Sequence, residues 1–132
     1  MREVIRIASK ILVVEDDPSF SRYLCHVLER EGYQVVSANN GLEGLRKVKG
    51  ESPSLLILDV MLPGLDGYEL CHRLRDDPTT AAIPILMLSA KGQDTDKTTA
   101  LKVGANDFFS KPVDRLVLLN KVAELLGESP KQ

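Results

Sequence analysis

The stretch Leu55-Leu56-Ile57-Leu58-Asp59-Val60-Met61-Leu62-Pro63-Gly64-Leu65-Asp66-Gly67 decides the fold. Four consecutive apolar residues read as a strand covered on both faces, and the turn-formers behind them stop it at once. The carboxylate at its tip then stands outside the carboxyl edge of a sheet, where open α/β folds bind ligands. A second run of the same kind, Ile11-Leu12-Val13-Val14, delivers Glu15, Asp16 and Asp17 to what should be the same edge.

Outward from these two runs, short apolar segments alternate with longer ones of helical period, the pattern of βαβ units and a parallel sheet. Strands are expected at 11–14, 34–37, 55–58, 85–88 and 106–109. The first, third and fourth are apolar throughout and belong in the centre; the second and fifth are mixed and belong at the edges. Between them run the stripes Phe20, Leu24, Val27 and Leu28; Leu42, Leu45 and Val48; Leu70 and Leu74; Ala100 and Val103; and Leu116, Leu119, Val122, Ala123 and Leu126. Each has the spacing of three or four that makes one apolar helix face. Asp17-Pro18, Asn40 with Glu43, and Asp66 with Glu69 read as helix starts. Gly32, Gly104 and Gly127 read as helix ends. Right-handed crossovers put the helices on both faces of a doubly wound sheet, although that rule leaves the strand order open.

A chain of 132 residues with 43% hydrophobic and 27% charged residues is the size of one domain able to bury a core without disulfides. The expected division is an N-terminal extension at 1–9, one domain at 10–127, and a tail or start of a linker at 128–132. With a net charge of −2 and scattered Lys and Arg, no nucleic-acid surface is expected. No apolar run approaches the ~20 residues of a membrane span, and residues 1–10 lack the features of a secretory signal. A cytoplasmic protein is the expectation. Cys25, Cys71, His26 and His72 show no metal-ligand spacing and read as reduced thiols and solvated or packed imidazoles.

The chemistry lies at the strand ends. Glu15, Asp16 and Asp59 within a few ångströms would repel unless some take up protons or a cation joins them. Carboxylates, a backbone carbonyl and waters are the ligand set of Mg²⁺, which often bridges to a phosphate; Mn²⁺ could substitute. Asp17 reads as a helix cap instead. Ser89 ends the fourth strand and Lys111 follows the fifth. A carboxylate, a hydroxyl, an ammonium and a cation at one edge form a phosphoryl-handling site, with Asp59 as acceptor and Ser89 and Lys111 contacting phosphoryl oxygens. In cis, the Lys111-Pro112 bond would aim the lysine back to that edge.

The motifs Val-Val-Glu-Asp-Asp-Pro, Leu-Asp-Val-Met-Leu-Pro-Gly-Leu-Asp-Gly, Leu-Ser-Ala, Gly-Ala-Asn-Asp-Phe-Phe and Ser-Lys-Pro occur in this order from Lys10 to Gly127. In that order the chain resembles a receiver domain of two-component response regulators. The resemblance implies a flavodoxin-like (βα)₅ fold with strand order 2-1-3-4-5. It implies Mg²⁺-dependent phosphorylation of Asp59 by a sensor histidine kinase or histidine phosphotransfer protein. The metal would sit on Glu15, Asp16, Asp59 and the Met61 backbone carbonyl. Ser89 matches the switch hydroxyl, Phe108 the switch aromatic and Lys111 the phosphate-contacting lysine. Phosphorylation would then reshape the surface of the fourth helix, fifth strand and fifth helix for a downstream partner or a missing output domain, with dimerisation as a further option. Phe109 reads as core. Bulk at Met61 and Lys91 is expected to slow loss of the phosphoryl group.

Such a chain is a signalling module rather than an enzyme on separate substrates. An aspartate-dependent phosphatase would place a second acid where Met61 stands. A flavin-binding carrier would need an anion-cradling loop where the acids after the first strand stand.

Overall fold

Five apolar runs become five parallel strands in the computed structural model, which describes residues 8–90 and 95–130. They are β1 (Lys10–Val14), β2 (Gln34–Ala38), β3 (Leu55–Asp59), β4 (Ile85–Ala90) and β5 (Asp107–Lys111). The order across the sheet is β2-β1-β3-β4-β5, so the three continuously apolar strands are central and the two mixed ones are edges. This is the flavodoxin-like order, with the direction of winding reversing between β1 and β3.

Alternation along the central strands divides the core into two layers. Ile11, Val13, Leu55, Ile57, Leu86 and Leu88 face α1 (Pro18–Arg30) and α5 (Arg115–Leu125), meeting Leu24, Val27, Leu28, Leu118, Leu119 and Val122. Leu12, Val14, Leu56, Leu58, Ile85 and Met87 face α2 (Gly41–Glu51), α3 (Gly67–Asp76) and α4 (Lys97–Lys102). The second layer takes Val48, Leu70, Cys71, Leu74 and Ala100 from those helices. Full burial of each such aliphatic side chain stabilises the fold by about 1.5–3 kcal/mol before the entropy of ordering is counted.

The helix starts follow from side chains that satisfy the first free N–H groups. Asp17 accepts from Ser19 N at 3.0 Å with Pro18 in the first turn. Asn40 accepts from Glu43 N at 2.8 Å, and Asp66 from Glu69 N at 2.9 Å. Gly32, Gly104 and Gly127 have positive φ at helix ends, as expected, whereas α2 ends on Ser52 in the left-handed region at φ 49°.

Three expectations need correction. Leu42 and Leu116, expected on core stripes, are exposed, 61% and 38% respectively. Both stand in first turns, beyond the last residues of the strands, where the buried contact at the start of α2 is made by Gly41. A Cβ there would collide with the Leu65 carbonyl oxygen. In α5 the buried series instead includes Leu118, because the run Leu116-Val117-Leu118-Leu119 is apolar all round and its period is blurred. The fifth strand starts at Asp107 and runs through Lys111, since Asn106 lies outside it and uses its side-chain oxygen to accept from Ile85 N at 2.8 Å. His26 and His72 are exposed, Cys25 is half-buried and Cys71 is buried.

Candidate functional site

Strand alternation brings three charged residues to one place. Val13, Ile57 and Phe109 all face the α1/α5 layer, so the residues two positions on, Glu15, Asp59 and Lys111, emerge on that same side at the carboxyl edge. The Lys111-Pro112 bond is cis, as the sequence expectation allowed. Lys111 Nζ donates to Glu15 Oε1 and, at 3.2 Å, to Asp59 Oδ2. Glu15 and Asp59 are 3% and 6% exposed.

The second oxygen of each acid is also held. Glu15 Oε2 accepts from Asp17 N at 3.0 Å, and Asp59 Oδ1 accepts from Met61 N at 3.2 Å. The loop from Val60 to Asp66 is tied down at both ends. Gly67 N donates to Val60 O at 2.7 Å, and a Cβ at Gly67 would collide with the Asp59 carbonyl oxygen.

Asp16 is exposed, and carboxylate oxygens of Glu15, Asp16 and Asp59 lie within 4.8 Å of one another. Three carboxylates against one ammonium leave up to two surplus negative charges, with Glu15 and Asp59 buried and Asp16 exposed. The consequence is visible in Glu15, whose carboxyl is pushed up to about 7, chiefly by burial and further by the Asp59 charge, against the lowering bonds from Lys111 and Asp17 N. Lys111 is held above its ordinary value because its bonds to Glu15 and Asp59 outweigh its own burial. An all-oxygen donor set with two surplus charges suits a hard divalent cation such as Mg²⁺. A cleft of about 290 Å³ beside it, lined by Glu15, Asp16, Arg22, Asn39 and Glu43 among others, opens the edge to solvent. Asp17 caps α1, as expected.

Ser89 and Phe108 stand on the other face. Ser89 follows Leu88, the register partner of Asp59, and is 1% exposed. Its Oγ shares a hydrogen bond with Thr95 Oγ1 at 2.7 Å. Phe108 pairs in register with Met87, two residues before Ser89, and its half-buried ring packs against the α2/α3/α4 layer. Phe109 packs against the opposite layer, as its reading as core requires. The Met61 side chain is half exposed; Lys91 lies outside the described residues.

Two residues without an expected role at the site touch these side chains. One is Thr95, the partner of Ser89. The other is Phe20, whose ring centroid lies 4.4 Å from Lys111 Nζ; its spacing marked it only as part of a core stripe. No helix among the described residues is long and apolar enough to cross a membrane.

Residues 11–123 match the response regulator receiver domain family. Protein PilH of Pseudomonas aeruginosa is 36% identical over 119 residues, covering 90% of this chain and 98% of PilH. The alkaline phosphatase synthesis transcriptional regulatory protein PhoP of Bacillus subtilis is 44% identical over 120 residues, which are 91% of this chain but 49% of PhoP. The chain thus spans about half the length of that relative and nearly all of PilH. Among solved structures, a putative response regulator from Chloroflexus aurantiacus superposes with a TM-score of 0.88 at 39% identity, covering 92% of this chain and all of the other. The receiver domain of the sensor histidine kinase PA1611 from Pseudomonas aeruginosa, with a magnesium ion coordinated in its active site cleft, is 28% identical with a TM-score of 0.84, covering 92% of this chain and 100% of that one.

Proposed function

Because this chain belongs to the response regulator receiver domain family, we propose that Asp59 accepts a phosphoryl group from a histidine kinase or histidine phosphotransfer protein and that the acyl phosphate changes what the chain binds. The observation that carries this reading is the buried Glu15–Lys111–Asp59 constellation with the Asp16 carboxylate beside it.

Glu15, Asp16 and Asp59 would hold Mg²⁺, with the Met61 carbonyl as a further ligand. Bound there, the ion supplies positive charge to the transferring phosphoryl oxygens. The chain's own residues do the rest. Lys111 keeps the buried Asp59 carboxylate paired and supplies an ammonium within reach of its oxygens. An oxygen of Asp59 then attacks phosphorus, an O–P bond forms, and the P–N bond to the donor histidine breaks. Phosphoryl transfer of this kind asks a protein for position and charge rather than for covalent assistance. Lys111 would follow the developing charge from the carboxylate to the phosphoryl oxygens.

A phosphoryl group carrying about two negative charges on its acceptor oxygens then stands beside β4 in place of the singly charged carboxylate. Ser89 would turn its hydroxyl from Thr95 towards them, and Phe108 would turn into the space released. The two lie on one face of the sheet, which supports coupling between them. The surface formed by α4, β5 and α5 would shift its population towards a partner-binding shape.

The test is intact mass after incubation with a small phosphodonor and Mg²⁺. The wild type should gain one base-labile phosphoryl group, and Asp59→Asn should gain none. A stable adduct, or an equal one on Asp59→Asn, would contradict the assignment.

A further inference from the structure

Phe20 is not needed to explain the site's charge balance, yet its ring faces the ammonium at the centre of that site. Lys111 Nζ lies 4.4 Å from the ring centroid, inside the ~6 Å range in which an aromatic face attracts a cation. The ring is fixed from its own side. It stands in the first turn of α1, directly behind the Asp17 cap and Pro18, and packs at 6.0 Å between centroids against Tyr23 one turn on.

We infer that Phe20 is a positioning residue for Lys111, holding the ammonium at the carboxyl edge when its carboxylate partners are drawn elsewhere. This rests on the phosphoacceptor reading of Asp59. In the resting arrangement Lys111 is held by Glu15 and Asp59, both of them residues a divalent cation would engage. A carboxylate bound to a cation offers less to an ammonium, so those two tethers weaken when transfer needs Lys111 in place. An aromatic face is no ligand for a hard cation. Its attraction for the ammonium therefore persists, and it opposes escape of the flexible lysine side chain into solvent. A partly desolvated contact of this type changes a rate or an equilibrium by about fivefold.

Phe20→Leu, Phe20→Tyr and Phe20→cyclohexylalanine separate the ring's π-face from its bulk. The Lys111 ε-methylene proton signals should lie upfield in the wild type and in Phe20→Tyr, and return to their ordinary position in Phe20→Leu and with cyclohexylalanine. With a small phosphodonor and Mg²⁺, the rate of Asp59 phosphorylation should fall about fivefold with leucine or cyclohexylalanine and stay within about twofold of wild type with tyrosine. Wild-type uptake with unshifted Lys111 signals would overturn the role of Phe20 and leave that of Asp59 standing. Wild-type speed in the cyclohexylalanine variant would also overturn it, reducing the ring to packing. A wild type that takes up no phosphoryl group would remove the role of Asp59 and this inference with it, whatever the shifts.

Discussion

Two cations sit at opposite ends of the sheet, each bonded to more than one oxygen, and only one of the two has charged partners. At the carboxyl edge Lys111 holds the carboxylates of Glu15 and Asp59. At the amino edge Arg75 donates to Gly104 O at 2.8 Å, Ala81 O at 3.0 Å, Ile83 O at 2.6 Å and Asn106 Oδ1 at 3.0 Å. The partners of Arg75 are neutral, mostly main-chain, and fixed by the loops they belong to. Those of Lys111 are side-chain anions, which on the proposed reading exchange it for a metal ion or carry a new group. Arg75, held on carbonyls, is a clasp joining α3 to the loops before β4 and β5.

The largest effect is expected from Asp59→Asn. Phosphoryl uptake should vanish entirely while equilibrium unfolding shifts by less than about 1 kcal/mol, because one of two mutually repelling buried carboxylates is gone. Arg75→Met should do the reverse, costing about 2–3 kcal/mol in denaturant unfolding as several carbonyls lose a charged donor, with uptake by the folded protein unchanged. Phosphorylation lost in Arg75→Met at full folding would erase the contrast.

A pH titration sharpens it. Glu15 ionises near its ordinary 4.5 in the unfolded chain and near about 7 in the folded one. Between those values the folded state keeps a proton that the unfolded state has released. Stability measured without divalent cations should therefore fall as pH rises from 4.5 to about 7 and level off above, by about 1–3 kcal/mol. Glu15→Gln should flatten that slope, and Arg75→Met should leave it in place. The smallest expected effect is at Met61. Its exposed side chain borders Asp59, and Met61→Ala should shorten the life of the phosphorylated form a few-fold in a dephosphorylation time course.

The fold was legible because residues covered on both faces have few options: Ile11 to Val14, Leu55 to Leu58 and Ile85 to Leu88 could scarcely be anything but central strands. First turns were not legible in the same way. Leu42 and Leu116 have the right spacing, but a helix overhanging the sheet edge buries nothing there except what a glycine such as Gly41 lets come close. Asn106 adjoins the run Asp107 to Phe109 and was not separable from β5 by pattern; its backbone N–H donates to Ile85 O and its side-chain oxygen accepts from Ile85 N, although the strand starts one residue later. Glu15, Asp16, Asp59 and Lys111 converge because strand period and strand ends are written in the sequence. The resting bonds of Lys111 to the two acids are not legible in the same way, since its place after the fifth strand points only to a contact with phosphate. Arg75 left no signal at all: a basic residue in the last turn of a helix ordinarily faces solvent.

On the proposed reading the carboxyl edge is open to an exchangeable cation and the amino edge is not. Titration with Mn²⁺, followed by amide NMR signals, tests it most directly. Signals of Asp16, Asp59 and Met61 should broaden first, with those of Ala81, Ile83 and Gly104 unaffected at the same concentration, and excess Mg²⁺ should restore them. Broadening that spares the Glu15–Asp59 edge, or falls equally on the loops around Arg75, would contradict the account.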